Sequence, residues 1–223
     1  MFKTLLIIIS TLLFVLNSYT QDTLTPKEFR NLKRQMAKDD IRALKKSVLL
    51  VQLKTKQHTI DAYIRKGNTK KAEKIKNLLN QDNKNIIKGF KEYFTFCPVY
   101  FYYSTDMKKV KSKDLSSVSF LDDSLKVKAI SVNFDTTNYY LANIGTSNYQ
   151  NTTLNNIPNF KIEYNNYVNF EALLIKNKEF QQLSVPFPYY TKTHEKIKVS
   201  DIKRWETIKK MNARLHNFYQ LNK

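Results

Sequence analysis

After Pro26 the chain meets no glycine or proline until Gly67, and no further proline until Pro98. Nothing in that span forbids a helix except one Gly-Asn step, since proline breaks helices and glycine favours their ends. Thr25-Pro26-Lys27-Glu28 supplies a start: Thr25 accepts from a first-turn amide, Pro26 fits the first helical position, and Glu28 reaches back to the cap. Phe29, Leu32 and Met36 follow at helical spacing, and Ile41, Leu44, Val48 and Val51 continue the stripe after a shift at Asp39-Asp40. The pattern predicts one long helix, or two joined near Asp39, ending at Lys66. Ser47-Val48-Leu49-Leu50-Val51 has the content of a strand, but its flanks are helical and it is read with them. Gly67-Asn68 ends that segment. A second helix is expected from Thr69 to about Tyr93, with Ala72, Ile75, Leu79, Ile86, Phe90 and Tyr93 on one face. The two segments read as an antiparallel helical hairpin.

The pattern changes at Cys97-Pro98. Val99-Tyr100-Phe101-Tyr102-Tyr103 is a run of strand formers, followed by a short helical turn from Asp106 to Val110. Val118–Leu121, Ala129–Phe134 and Tyr139–Ile144 read as further strands. Residues 145–165 are polar and Asn-rich, a long loop. Ala172–Ile175 is a buried-type strand that turns at Lys176-Asn177-Lys178 into Phe180–Leu183, a hairpin. Pro186-Phe187-Pro188 interrupts, and a last helix starts after Ser200 with Ile202, Trp205, Ile208, Met211, Leu215 and Phe218 as its stripe. The expected fold class is α+β: an N-terminal helical hairpin followed by a small mixed β-sheet domain with a C-terminal helix packed on it.

The N-terminus sets the compartment. Lys3 precedes an uncharged apolar run from Leu5 to Leu16, and small residues Ser18 and Thr20 stand before Gln21. This is the layout of a cleavable secretory signal, and the run is shorter than the ~20 residues a membrane span requires. Residues 1–20 are read as the signal, 21–96 as the helical hairpin region and 97–223 as an α/β sheet domain. A periplasmic or extracellular protein with no transmembrane helix after cleavage is expected. Cys97 is the only cysteine, so no internal disulfide staples an exported domain. It stands in the apolar stretch Phe94–Phe101 and reads as a buried small hydrophobe. Gly67, Gly89 and Gly145 are far apart, which excludes a Gly-rich phosphate loop.

At Phe96–Ser104 and again at Phe187-Pro188-Tyr189-Tyr190 the chain resembles short exported proteins of unknown function from Bacteroidota. That resemblance implies export and no particular activity. The order strand, short helix, strand, hairpin, Pro-containing loop, final helix is also similar to a thioredoxin-like plan. Ser104-Thr105-Asp106-Met107 stands where that family carries C-x-x-C, so its redox chemistry is not implied.

Candidates for chemistry are sparse. His58 and His216 fall on helices among Lys and Asn and are expected to face solvent. His194-Glu195 lies in the loop before the last helix, beside Tyr189, Tyr190 and Lys192, where a histidine with a carboxylate neighbour can act as a general base. His194, Glu195 and Asp106 are therefore the catalytic candidates. Asp122, Asp123 and Asp135 at strand ends suit turn caps as well as a cation. No metal or cofactor is expected, since no H-x-x-x-H, H-E-x-x-H or cysteine cluster occurs. The aromatic strand 99–103 beside Lys108, Lys109, Lys111 and Lys113 has the makings of a stacking platform, but aromatic strands pack as core. The 38 Lys and Arg against 19 Asp and Glu give a formal charge of +19. Such a field attracts acidic glycans or an anionic lipid surface, and an envelope protein is a further candidate partner; export argues against specific nucleic acid. An AT-rich coding bias produces the same lysine excess. The expected function is non-catalytic binding or a structural role at the cell envelope; the alternative is an envelope enzyme of degenerate thioredoxin-like or hydrolase type built on the His194 loop.

Overall fold

The computed structural model describes residues 24–128, 138–147, 170–193 and 200–223. The signal reading, the strand expected at Ala129–Phe134, most of the Asn-rich stretch, and His194 and Glu195 lie outside these residues. Helix α1 spans Pro26–Lys46 and starts as its sequence requires. Glu28 N donates to Thr25 Oγ1 at 3.3 Å, and Thr25 N donates back to Glu28 Oε2 at 2.8 Å. The buried face of α1 is Phe29, Ala37, Ile41 and Leu44. Leu32 and Met36, expected on that stripe, stay 41% and 42% exposed. Ala37 rather than Met36 sets the contact face, and one residue rotates a helix by about 100°.

The helical reading fails at Ser47. Its amide donates to the Leu44 carbonyl, α1 ends at Lys46, and Val48–Leu53 forms strand β1. Both neighbours of β1 run parallel to it: β2 (Val99–Tyr103) on one side and β4 (Tyr139–Ser147) on the other. A parallel strand covered on both faces needs apolar residues at successive positions, so it lacks the alternation that marks an exposed sheet. Leu49, Leu50 and Leu53 are fully buried accordingly. β1 lies at residues 48–53, before position 97, and hydrogen-bonds to strands beyond it. Helix α2 follows at Gln57–Arg65 and α3 at Thr69–Tyr93. Between them Gly67 adopts φ 72°, with Gly67 N bonded to Ile64 O and Asn68 N to Tyr63 O, both at 2.9 Å. That pair of bonds closes α2, and the left-handed residue in it needs glycine. Asn68 Oδ1 then caps α3 by accepting from Lys71 N at 3.2 Å.

Beyond β2 come a 3-10 turn at Ser104–Asp106, a short helix α4 (Met107–Lys111), a second 3-10 turn at Leu115–Ser117 and the two-residue strand β3 (Phe120–Leu121). Strands β5 (Phe170–Lys176) and β6 (Tyr190–Lys192) and helix α5 (Ser200–Gln220) complete the chain. The mixed sheet has the order β3-β2-β1-β4-β5-β6, antiparallel at β2·β3, β4·β5 and β5·β6. The expected hairpin partner Phe180–Leu183 makes only one bridge, Lys176 to Gln182. Asn177 Oδ1 caps the turn by accepting from Glu179 N and Gln181 N, and the strand beside β5 is Tyr190–Lys192, delivered past Pro186 and Pro188.

One face of the sheet carries α1, α3 and α5, with Leu49, Val51, Phe101, Tyr140, Ile144 and Leu173 meeting Ile41, Phe90, Ile208, Met211 and Leu215. The other face packs Val48, Leu50, Tyr102 and Leu141 under Val110, Leu115 and Val118 of the α4 connection. Ile86 and Phe90 of that stripe are spent on the core, while Leu79 packs with Ile60 and Ala72 in a separate cluster. Phe101 and Tyr102 are buried as well, which settles the aromatic strand as core. None of the helices among the described residues is long and apolar enough to cross a membrane.

At Gly89 helix α3 packs directly against α5. A Cβ there would stand 2.6 Å from Trp205 Cδ1 and 2.9 Å from Ile208 Cδ1, and Trp205 Nε1 is tied to Asn85 O at 3.1 Å. Gly89→Ala gains about 1 kcal/mol of helix propensity but must push the indole off that bond, at a cost of about 1–3 kcal/mol. A net loss of thermal stability with a shifted Trp205 emission is expected in calorimetry and fluorescence. Cys97 is 8% exposed, and burial pushes its thiol up to about 12 against a small opposing effect of Lys45. Ellman's reagent should leave the native protein unlabelled near neutral pH and titrate the thiol only in denaturant.

Candidate functional site

The chain leaves β1 through α2 and α3 on one face of the sheet, and leaves β2 through α4 on the other. β1 therefore has its two parallel neighbours on opposite sides, and the crevice outside the carboxyl ends of such strands is where open sheets bind ligands. A crevice of about 750 Å³ lies there. Lys54 and Thr55 enter it from the end of β1, and Tyr103 and Thr105 from the end of β2. Ile60 and Ile64 of α2 and Ala72 and Leu79 of α3 form its apolar walls. Glu73, Lys76, Asn80 and Asn83 of α3 add polar groups.

Short bonds hold the rim. Thr55 N donates to Ser104 Oγ at 3.2 Å, and the two hydroxyls are 3.0 Å apart, so the ends of β1 and β2 are tied together. Asn83, 2% exposed, donates from Nδ2 to Lys54 O at 2.9 Å and ties α3 to the same point. Lys56 turns the chain into α2 in the left-handed region, φ 46°, with no side-chain cap. A non-glycine residue held there costs about 1–3 kcal/mol, a cost that persists where surrounding contacts demand the geometry.

A charged clamp borders the crevice. Arg204 of α5 is only 12% exposed and meets Asp82 of α3 at 3.0 Å and Glu171 of β5 at 2.9 Å. Thr193 Oγ1 donates to Glu171 Oε2 at 3.3 Å, and Lys54 Nζ is 3.9 Å from Glu171 Oε1. A smaller cavity of about 350 Å³ beside the clamp is lined by Lys56, Leu78, Leu79 and Arg204 among others. Burial pushes the Glu171 carboxyl up, but the hydrogen bonds and charge of Arg204, with Lys54 and Thr193, outweigh it and hold it below its ordinary value.

Of the three catalytic candidates, only Asp106 falls among the described residues. It is 9% exposed, accepts from Ser119 N at 2.8 Å, and pairs with Lys109 at 2.8 Å. Burial raises its carboxyl, and the Lys109 and Ser119 contacts overcome that and set it below the ordinary 3.8. In this place it fastens the start of α4 to the approach of β3. Asp122 caps its turn, accepting from Ser124 N and Lys126 N, and Asp123 pairs with Lys91. His58 is exposed as expected; His216 is not fully so, for it bonds Thr95 Oγ1 at 3.1 Å and stands edge-on to Phe96 at 5.2 Å. Among the described residues no group of three His, Cys, Asp or Glu is placed to hold a metal ion.

Sequence reasoning missed the crevice and its clamp. Lys54 and Thr55 were hidden inside the helical reading of residues 48–66, and nothing in the spacing of Asp82, Glu171 and Arg204 joins them. A strand reading of Val48–Leu53 was the one signal that pointed there. Comparison with protein-family models, with curated proteins and with solved structures gave no match.

Glu171 and Asp106, held below their ordinary values, stabilise the fold above those values and lose that contribution as pH falls through the folded-state values. Unfolding temperature should therefore drop in acid, below the ordinary 4.5 of a glutamate. Arg204→Ala leaves two carboxylates without their partner and should cost about 1–3 kcal/mol near neutral pH, reduced from a fully buried pair because Glu171 is half open to water. Calorimetry of parent and variant from pH 3 to 7 checks this, and the gap between them should narrow in acid.

Proposed function

We propose that this chain is a non-catalytic binding protein for acidic ligands, acting at the cell envelope or outside it. The observation that carries the reading is the pairing of a formal charge of +19 with a crevice bordered by loosely compensated lysines. Among the described residues Lys76 of the crevice makes no ion pair, nor does Lys56 of the smaller neighbouring cavity, and Lys54 reaches its nearest carboxylate only at 3.9 Å. Threonine, asparagine and lysine side chains there supply hydrogen bonds and charge, the means by which a site fixes a ligand's orientation. The signal-like layout of residues 1–20 supports export, and with it a ligand among the acidic glycans and anionic lipids of the envelope.

Binding driven by this field weakens as salt screens it over about 8–10 Å. Retention on a sulfated polysaccharide and on phosphatidylglycerol vesicles should be strong at low ionic strength and fall steeply at 0.15 M and above. Neutral dextran and phosphatidylcholine vesicles should retain nothing. Binding that is absent, or indifferent to salt, overturns the reading.

A further inference from the structure

The walls of the crevice narrow the chemistry of its ligand. We infer that the crevice at the carboxyl ends of β1 and β2 binds an amphipathic monoanion, a chain-like apolar body bearing one carboxylate or phosphate group. This deepens the proposed function and rests on it. The volume of about 750 Å³ falls in the range that encloses a small organic molecule rather than a polymer. Ile60, Ala72 and Leu79 give it an apolar wall, and Ile64 stands at the rim 51% exposed, a large aliphatic side chain that an apolar ligand would cover.

Charge decides the head group. Lys54 and Lys76 line the crevice, and so does Glu73, which leaves a single net positive charge for the ligand to meet. A polyanion would set further negative charge against Glu73. Glu171, the carboxylate nearest Lys54, is held by Arg204 at 2.9 Å against 3.9 Å to Lys54, so the Lys54 ammonium remains open to a second anion. The head group sits between Lys54 and Lys76, and the chain lies along α2 and α3 over Ala72 and Leu79.

Two sources offer this chemistry, a free fatty acid and the headgroup and acyl chain of an anionic phospholipid. Titration calorimetry on the full chain with decanoate, below its micelle-forming concentration, tests the first, and phosphatidylglycerol vesicles test the second. Acetate and 1-decanol serve as chainless and uncharged controls. Decanoate should bind at least about tenfold more tightly than either control, each tenfold being about 1.4 kcal/mol. Lys76→Glu reverses the head contact and Ile64→Glu spoils the apolar rim. Both sites are exposed, so circular dichroism should match the parent while affinity falls roughly tenfold or more. Lys33→Glu on α1 changes the net charge equally and should leave decanoate binding unchanged. Vesicle binding lost in Lys76→Glu and Ile64→Glu, but kept in Lys33→Glu, assigns the phospholipid as source. Decanol binding as well as decanoate, or crevice variants binding like the parent, overturns the inference. So does the absence of decanoate and vesicle binding; if salt-sensitive retention on the sulfated polysaccharide persists, the broader acidic-ligand reading stands while this one falls.

Discussion

Strand β1 is the constraint on which the rest of this structure depends. It is flanked by parallel partners on both edges and by packed side chains on both faces, so its six residues organise everything around them. Leu49, Leu50 and Leu53 are fully buried, and each contributes on the order of 1.5–3 kcal/mol by leaving water. Its parallel neighbours force crossovers, because parallel strands cannot be joined by a tight turn. One crossover is the α2–α3 pair, and the other begins with α4. The helices are thus consequences of the strand as much as of their own patterns.

The same arrangement makes the crevice. Two crossovers that leave on opposite faces open a gap at the strand ends, and the residues that happen to end β1 and β2 become its lining. Lys54, Thr55 and Tyr103 owe their place there to being the next residues after a strand or its last. The Arg204 clamp joins three elements distant in sequence, α3, β5 and α5, and fixes the wall beside the crevice. With Arg204 largely buried and Glu171 half open to water, these pairs contribute less to net stability than their distances suggest, since the guanidinium loses hydration while the carboxylate stays partly screened.

Much of the fold was legible locally. The capping box at Thr25, the Gly67-Asn68 break, the extent of α3, the aromatic strand at 99–103 and the final amphipathic helix all rest on short-range chemistry, and the structure reproduces them. Two errors share a cause. Val48–Leu53 reads as helix because a doubly covered strand has no period to distinguish it from a buried helix. The partner of β5 reads as Phe180–Leu183 because the nearest apolar run is the natural candidate, whereas Tyr190–Lys192 arrives after two prolines. Strand pairing is a contact between distant residues and leaves no mark on either segment.

The sequence by itself determined the capped start at Thr25, the Gly67-Asn68 break and the extent of α3, which residues are apolar enough to form a core, the lone cysteine's burial and the strong positive charge. These follow from backbone capping, side-chain hydration and a count of ionised groups, all properties of a residue and its immediate neighbours. Only the tertiary structure decided that residues 48–53 form the central strand, that Asp82, Glu171 and Arg204 meet, and that Lys54 and Lys76 share one crevice with Ile60 and Leu79. Those facts depend on which surfaces exclude water together, a free energy that belongs to the assembled sheet and its helices and to no single segment.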